Sequence, residues 1–174
     1  RAWRELGLTG ELPGDGIMFS LINRGANKLD QFIDITAQLE TKRGGDLTHM
    51  SLAFTMDNTT PAGLPEFVAG GSPLSGVSAG DYLGYVSLNV PLSAGNFTVD
   101  GGDLLATAVD GKTRVLIVRV VIPMGQKVSL TFNLDLPRAL ESVELLPSAR
   151  IPRVQWTDGE ESWDDGAPRT IPLR

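Results

Sequence analysis

Residues 114–136 constrain the fold of this chain more than any other stretch: they hold two apolar runs on either side of a turn. In the second run, Val128, Leu130, Phe132 and Leu134 alternate with Ser129, Thr131, Asn133 and Asp135. Side chains on a strand point to opposite faces in turn, so this run has one dry face and one wet face. In the first run both faces are apolar. Val115, Ile117 and Val121 lie on one, Leu116, Val118, Val120 and Ile122 on the other, and only Arg119 interrupts. A strand of that kind is expected near the centre of a sheet, covered on both sides. Pro123 fixes its φ and Gly125 relieves the backbone, so a tight turn is expected between the runs.

The same alternation recurs upstream. Ile35, Ala37 and Leu39 alternate with Thr36, Gln38 and Glu40, and Met50, Leu52, Phe54 and Met56 share one face of 48–57. Gly44-Gly45 lies between these segments, which predicts an antiparallel hairpin. Further strands are expected at 17–22, 82–90, 96–99, 104–109 and 142–146, with Asp110-Gly111 as a strong hairpin signal. About eight or nine short strands with frequent turns indicate an all-β chain, a two-layer antiparallel β-sandwich of immunoglobulin-like kind. One short helix is expected at 27–33, where Leu29, Phe32 and Ile33 fall on one face. Residues 58–80 are rich in Pro, Gly, Ser and Thr and form a long irregular loop, with Leu64, Phe67 and Val68 placed to dock on the body. Loops of that length inside a compact domain are usually functional or disordered. The expected organisation is a linker or edge strand at 1–16, a sandwich at 17–146, and a Pro-broken acidic tail at 147–174 with a frayed end.

Composition removes several classes of function. A chain of 174 residues with 41% hydrophobic content is long enough for one sizeable core and too apolar for full-length disorder. Its net charge is −6 and no basic cluster stands out, which argues against nucleic acid or an anionic membrane surface as partner. No apolar run is long enough for a transmembrane helix. The first residue is Arg and not Met, so the chain reads as a processed or excised piece of something longer. The absence of cysteine excludes a disulfide framework, a thiolate nucleophile and cysteine-ligated zinc.

Little in the chain suggests catalysis. His49 is the only histidine and falls on the wet face of its strand, with no nucleophile elbow in the sequence to complete a triad. Gly70-Gly71 and Gly101-Gly102 lack the following lysine or helix of a phosphate loop. No catalytic residue and no cofactor are assigned; a two-carboxylate glycosidase is the one chemistry that sequence leaves open. Asp158, Glu160 and Asp164, with Glu161 and Asp165 beside them, are candidate calcium ligands, although their spacing is not that of an EF-hand and a solvated acidic tail is the competing reading. Trp156, Trp163 and Trp3 suit either stacking on sugar rings or docking of a terminal segment, the commoner role. Asn58-Thr59-Thr60 and Asn96-Phe97-Thr98 match the glycosylation sequon.

Three runs together resemble a known family. Residues 18–34 hold a strand, an Asn, then Lys28-Leu29-Asp30 and an aromatic. Residues 52–70 hold a strand ending in Asn58-Thr59, then Pro61 and Leu64-Pro65-Glu66-Phe67-Val68. Asp110-Gly111-Lys112 leads to a hairpin turning at Pro123-Met124-Gly125-Gln126. Over residues 17–146 the chain resembles the C-terminal region of the domain of unknown function 4012 family, bacterial and mainly actinobacterial envelope proteins. Met124 departs from that family's Pro-Gly-Gln turn. The resemblance implies an extracytoplasmic place at the cell envelope or surface. It also implies a parent protein with a membrane anchor and a preceding domain, and no settled activity. The expected function is therefore a non-enzymatic module that contacts an envelope protein or cell-wall glycan. The alternatives are an accessory domain of a polysaccharide-handling envelope enzyme whose active site lies outside this chain, and a calcium-binding adhesion-type domain. Asn27, Lys28, Asp30, Asn58, Leu64, Pro65, Glu66 and Phe67 are the candidate contact residues. Segments 27–33 and 58–68 are expected to pack together, with Leu29, Phe32, Leu64 and Phe67 capping one end of the sandwich. Lys28 and Asp30 are then held by loop carbonyls and amides, or by Glu66.

Overall fold

The alternating segments become the inner faces of two packed sheets in a computed structural model that describes residues 10–71, 76–148 and 150–173. In chain order the strands are β1 (Gly16–Asn23), β2 (Ile33–Gly44), β3 (Leu47–Asn58), β4 (Tyr82–Pro91), β5 (Gly95–Asp100) and β6 (Leu104–Asp110). They continue with β7 (Thr113–Ile122), β8 (Lys127–Pro137), β9 (Ser142–Leu146), β10 (Gln155–Thr157), β11 (Ser162–Asp164) and β12 (Arg169–Pro172). One sheet has the order β12-β9-β1-β4-β7-β6, the other β11-β10-β2-β3-β8-β5. The all-β sandwich expected from sequence is the fold. Its sheets are mixed and not purely antiparallel, because β1 pairs with β9 and β10 pairs with β2 in parallel.

Period two explains the core. Ile35, Ala37 and Leu39 of β2, Met50, Leu52, Phe54 and Met56 of β3, and Leu130, Phe132 and Leu134 of β8 are all buried. The expected β2–β3 hairpin is in register from Ile33↔Asn58 to Gly44↔Leu47. Phe54 lies at the middle. Phe19 of β1, on the opposite sheet, stacks on it with ring centroids 4.3 Å apart. Phe132 and Trp156 meet it edge-on at 6.1 and 5.4 Å. Such aromatic pairs add to the stabilisation that area burial alone supplies.

Three expectations need correction. First, β7 is neither central nor covered on both sides: it is one strand from the edge, and its inner residues Leu116, Val118, Val120 and Ile122 are buried while Val115, Ile117 and Val121 are half-buried on the outer face. Among the described residues, no third layer lies over that face. Second, residues 27–33 hold only a single 3₁₀ turn, Asp30–Phe32, and among the described residues the one short α-helix is α1 (Glu66–Ala69) inside the long loop. With Leu29 and Ile33 fully buried, the 3₁₀ turn is a corner that inserts two apolar side chains and then feeds β2. Third, the described part of 147–174 is not a frayed tail. β10 and β11 extend one sheet, and β12 extends the other. Val154, Trp156, Ile171 and Leu173 bury their side chains. The linker or edge strand expected at 1–16, and Trp3 with it, falls largely outside the described residues; 10–15 hold no strand.

Truncating a fully buried ring in this cluster leaves a cavity between two sheets. Phe132→Ala is expected to lower the unfolding free energy by about 3–5 kcal/mol in denaturant titration. A loss below about 1 kcal/mol is the signature of a surface position and would contradict the packing.

Candidate functional site

The motif residues singled out from sequence converge at one end of the sandwich, where 24–32, the 59–71 and 76–81 parts of the long loop, and the β7–β8 turn meet. The expected pairing of segments 27–33 and 58–68 is present. The Lys28 amide donates to the Val68 carbonyl at 3.0 Å, and the Thr59 amide and hydroxyl both donate to the Phe32 carbonyl, at 2.8 and 2.9 Å. The backbones touch so closely that a Cβ on Gly70, at φ +63°, would lie 2.6 Å from the Ala26 carbonyl oxygen and from Asn27 Cβ. Only glycine fits there.

Asp30 is held neither by loop amides nor by Glu66. The Tyr82 hydroxyl donates to its Oδ1 at 2.9 Å and Asn23 Nδ2 donates to its Oδ2 at 2.9 Å. Asn23 Nδ2 also donates to Asn27 Oδ1 at 2.9 Å, and Asn27 Nδ2 donates to the Asp81 carbonyl at 3.2 Å. Burial, and then the Asp30 carboxylate, push the Tyr82 phenol far above its ordinary pKa, so it stays protonated and donates. Arg150, which sequence reasoning missed, closes the knot. Its guanidinium donates to the carbonyls of Asp30 at 3.2 Å, Ile33 at 2.8 Å and Pro152 at 2.9 Å. Burial lowers its pKa, opposed by Tyr82 and Asp30.

Asn58 is fully buried. It donates from Nδ2 to the carbonyls of Gly80 at 2.9 Å and Ile122 at 2.8 Å, and accepts from the Thr60 amide at 3.1 Å. Its side-chain nitrogen is thus committed inside the fold, which removes the first sequon as a modification site in the folded chain. The Asp81 carboxylate accepts from the amides of Ser78 at 3.1 Å and Met124 at 2.9 Å, tying the loop to the β7–β8 turn.

With Asn58 and the Tyr82–Asp30–Arg150 contacts committed to the fold, this end also presents apolar groups to water. Leu29 is buried, and Phe32 and Leu64 are partly buried against the core, as the expected cap requires. Phe67 departs from that expectation: it is 68% exposed, with the Lys28 ammonium 5.4 Å from its ring centroid. Met124 is 42% exposed and Ile151, next to Arg150, is 82% exposed. Pro65 and Glu66 are exposed beside Phe67. Pro65 starts α1, its carbonyl accepting from the amides of Val68 and Ala69 at 2.9 Å each.

Of the acidic candidates near the C-terminus, Asp158 and Asp164 are engaged in turns and an ion pair. Asp158 closes the β10–β11 turn by accepting from the amides of Glu160 at 3.1 Å and Glu161 at 2.9 Å, bonds that hold its carboxyl below the usual range. Asp164 pairs with Arg153 at 3.1 Å and accepts from the Gly166 amide at 2.8 Å. Asp165, read from sequence as part of a solvated tail, is buried and accepts from the amides of Ser148 at 2.8 Å and Val154 at 3.0 Å. Arg169 pairs with Glu161 and lies 4.1 Å from the Trp163 ring centroid. It lines two open hollows of about 370 and 440 Å³, the first shared with Glu40, Asp158, Glu160 and Glu161, the second with Arg153, Trp163 and Asp164. Among the described residues, no three His, Asp or Glu side chains converge as a metal site would need. Trp156 takes the docking role, since it is buried against Phe54.

His49 pairs with Asp135 on the outer face of β3 and β8, and Asn96 Nδ2 donates to Asp135 at 2.7 Å. Chiefly through Asn96, and then through His49, the Asp135 carboxyl is held below its ordinary value. Ser51 lies on the same face two residues from His49, about 6–7 Å along the strand.

No family model matches this chain, and no curated protein matches it. Among solved structures, one from Legionella pneumophila, described as a "putative nutrient binding protein", aligns at 9% identity with a TM-score of 0.37. The alignment covers 80% of this chain and 48% of that one, so this chain spans about half that protein's length. Neither fold nor function is inferred from a likeness this distant.

Removing the Asn58 side chain strands two carbonyls and one amide in a buried corner. Asn58→Ala is expected to cost about 2–4 kcal/mol in chemical denaturation, against under about 0.5 kcal/mol for an exposed control such as Thr36→Ala. Equal losses at both positions would show that the loops are not fastened through Asn58.

Proposed function

We propose that this chain is a binding module that works by contact and not by chemistry, and that the contact surface is the loop end carrying Phe67, Lys28, Met124 and Ile151. The observation that carries the reading is the 68% exposure of Phe67 on a segment anchored by hydrogen bonds on both sides. A large apolar side chain held out in water costs free energy that a partner surface recovers, and a rigid scaffold loses little entropy when it binds. Loops fixed at one end of a sandwich are a common place for such surfaces. A protein partner suits this surface better than a glycan. Met124 and Ile151 are not planar sugar platforms, and one face of the Phe67 ring already carries Lys28. An extracytoplasmic place in the bacterial envelope is part of the proposal and rests on the sequence resemblance alone.

Binding of the chain to solubilised envelope proteins and to an array of cell-wall glycans, compared with Phe67→Ala, tests the reading. The ring is exposed, so the variant is expected to keep its melting temperature within about 2 °C. Binding to a protein component is expected to fall at least about tenfold, or ~1.4 kcal/mol. Retention of a partner that ignores Phe67→Ala but is lost on changing the outer face of β2 and β3 would move the contact surface elsewhere. Retention on glycans alone would replace the protein partner.

A further inference from the structure

Among the described residues the two sheets have four edge strands, and three of them are built against pairing. β12 is four residues long, follows Pro168 and ends in Pro172, which has no amide to donate. β11 is three residues long and lies among Glu161, Asp164 and Asp165. β5 has a register break between Gly95 and Thr98, with Asn96 at φ +52° inside it. Its Asn96, Thr98 and Asp100 side chains are engaged with Asp135 and Asn133 of β8. Short length, proline, charge and bulges are the usual protections of a free edge.

β6 is different. Among the described residues it pairs with β7 on one side only, and all seven of its residues, Leu104–Asp110, are exposed. It contains no Pro, Lys or Arg, and its one charge is at the end, at Asp110. Leu104, Leu105 and Val109 are 41%, 52% and 66% exposed. Its own register break lies at the start, between Leu104 and Ala106, and leaves 106–110 regular.

We propose that β6 is a self-association edge, on which a second copy of this chain pairs its own β6 antiparallel about a two-fold axis at Thr107. The occupant is chosen by the sequence of the strand. A two-fold interface must match itself, with residue i facing j and j facing i. Centred on Thr107, Thr107 faces Thr107, Ala106 faces Ala108, and Leu105 falls toward Val109 of the other copy. Leu105 and Val109 then meet on one face and Ala106 and Ala108 on the other, while Leu104 falls opposite Asp110 at each end of the ladder. The two Asp110 carboxylates lie six residues apart along the ladder, about 20 Å, which is beyond the screening length at physiological salt. The pairing joins two six-stranded sheets into one continuous sheet. This inference does not rest on the loop-end surface, which leaves β6 uninvolved.

Sedimentation equilibrium of the full chain over roughly 5–500 µM is expected to show the mass rising from 18.6 kDa toward twice that value. Thr107→Lys puts two ammonium groups opposite each other at the axis and is expected to hold the mass at 18.6 kDa throughout. The chain has no cysteine, so Thr107→Cys gives one thiol per copy. Residues facing each other across an antiparallel ladder have Cα atoms about 4.5–5.5 Å apart, within disulfide range. Under mild oxidation this variant is expected to cross-link at least about tenfold faster than Thr36→Cys on the opposite sheet. A mass that stays at 18.6 kDa for the unmodified chain, association untouched by Thr107→Lys, or equal cross-linking of the two cysteine variants would each overturn the proposal.

Discussion

The Phe54 ring is the interaction on which the rest of this molecule depends. Phe19 stacks on it from the opposite sheet, Phe132 abuts it from the neighbouring strand, and Trp156 closes it from the C-terminal segment. One side chain therefore touches both layers and the last part of the chain. Trp156 could not reach it unless 155–157 ran beside β2, which the parallel pairing Gln155↔Thr36 to Thr157↔Gln38 provides. The chain then turns through β11 and crosses to the other sheet as β12. Strands of three and four residues are too short to persist alone. The buried Asp165 carboxylate holds them by accepting from two amides that no strand satisfies, those of Ser148 and Val154.

At the loop end the same economy works through polar groups. Buried donors and acceptors that go unpaired are costly, so an irregular loop packed on a core must satisfy itself. Asn58 commits its amide group to the loop carbonyl of Gly80, the strand-end carbonyl of Ile122 and the loop amide of Thr60. Asp30, Tyr82 and Asn23 satisfy one another, and Arg150 donates to the Asp30 and Ile33 carbonyls at the 3₁₀ corner. The consequence for function is a fixed loop end on which apolar side chains stand out among charged ones. Asn58 and the knot around Tyr82 and Arg150 are turned into the fold, while Phe67, Met124 and Ile151 face water beside the exposed Lys28 and Glu66.

What could be read from sequence follows from what carries a period. The alternation in 128–135 and 48–57 places Phe132, Leu130, Leu52 and Phe54 correctly in one core, because burial on a strand is decided every second residue. Period alone could not tell that β7 is covered on one face only, since an apolar outer residue such as Ile117 looks the same whether a third layer is present or not. The short C-terminal strands carried too few residues for any period, and their prolines read as loop. Leu29, Phe32 and Leu64 were placed by spacing, but Phe67 was not, because hydrophobicity does not reveal on which side of α1 a ring falls. Arg150 and Tyr82 gave no local signal. Their role comes from separations of 120 and 52 residues from Asp30, which only the folded chain brings together.

A rigid loop end is the physical content of this account, and amide hydrogen exchange tests it most directly. The amides of Lys28, Thr59, Gly80 and Gly125 donate to the carbonyls of Val68, Phe32, Ala69 and Asn58, all outside regular strand pairing. They are expected to exchange far more slowly than exposed turn amides such as that of Gly45, approaching the protection of the central strands. Exchange of these four at the rate of an open loop, in a chain whose β3 amides remain protected, would contradict the account.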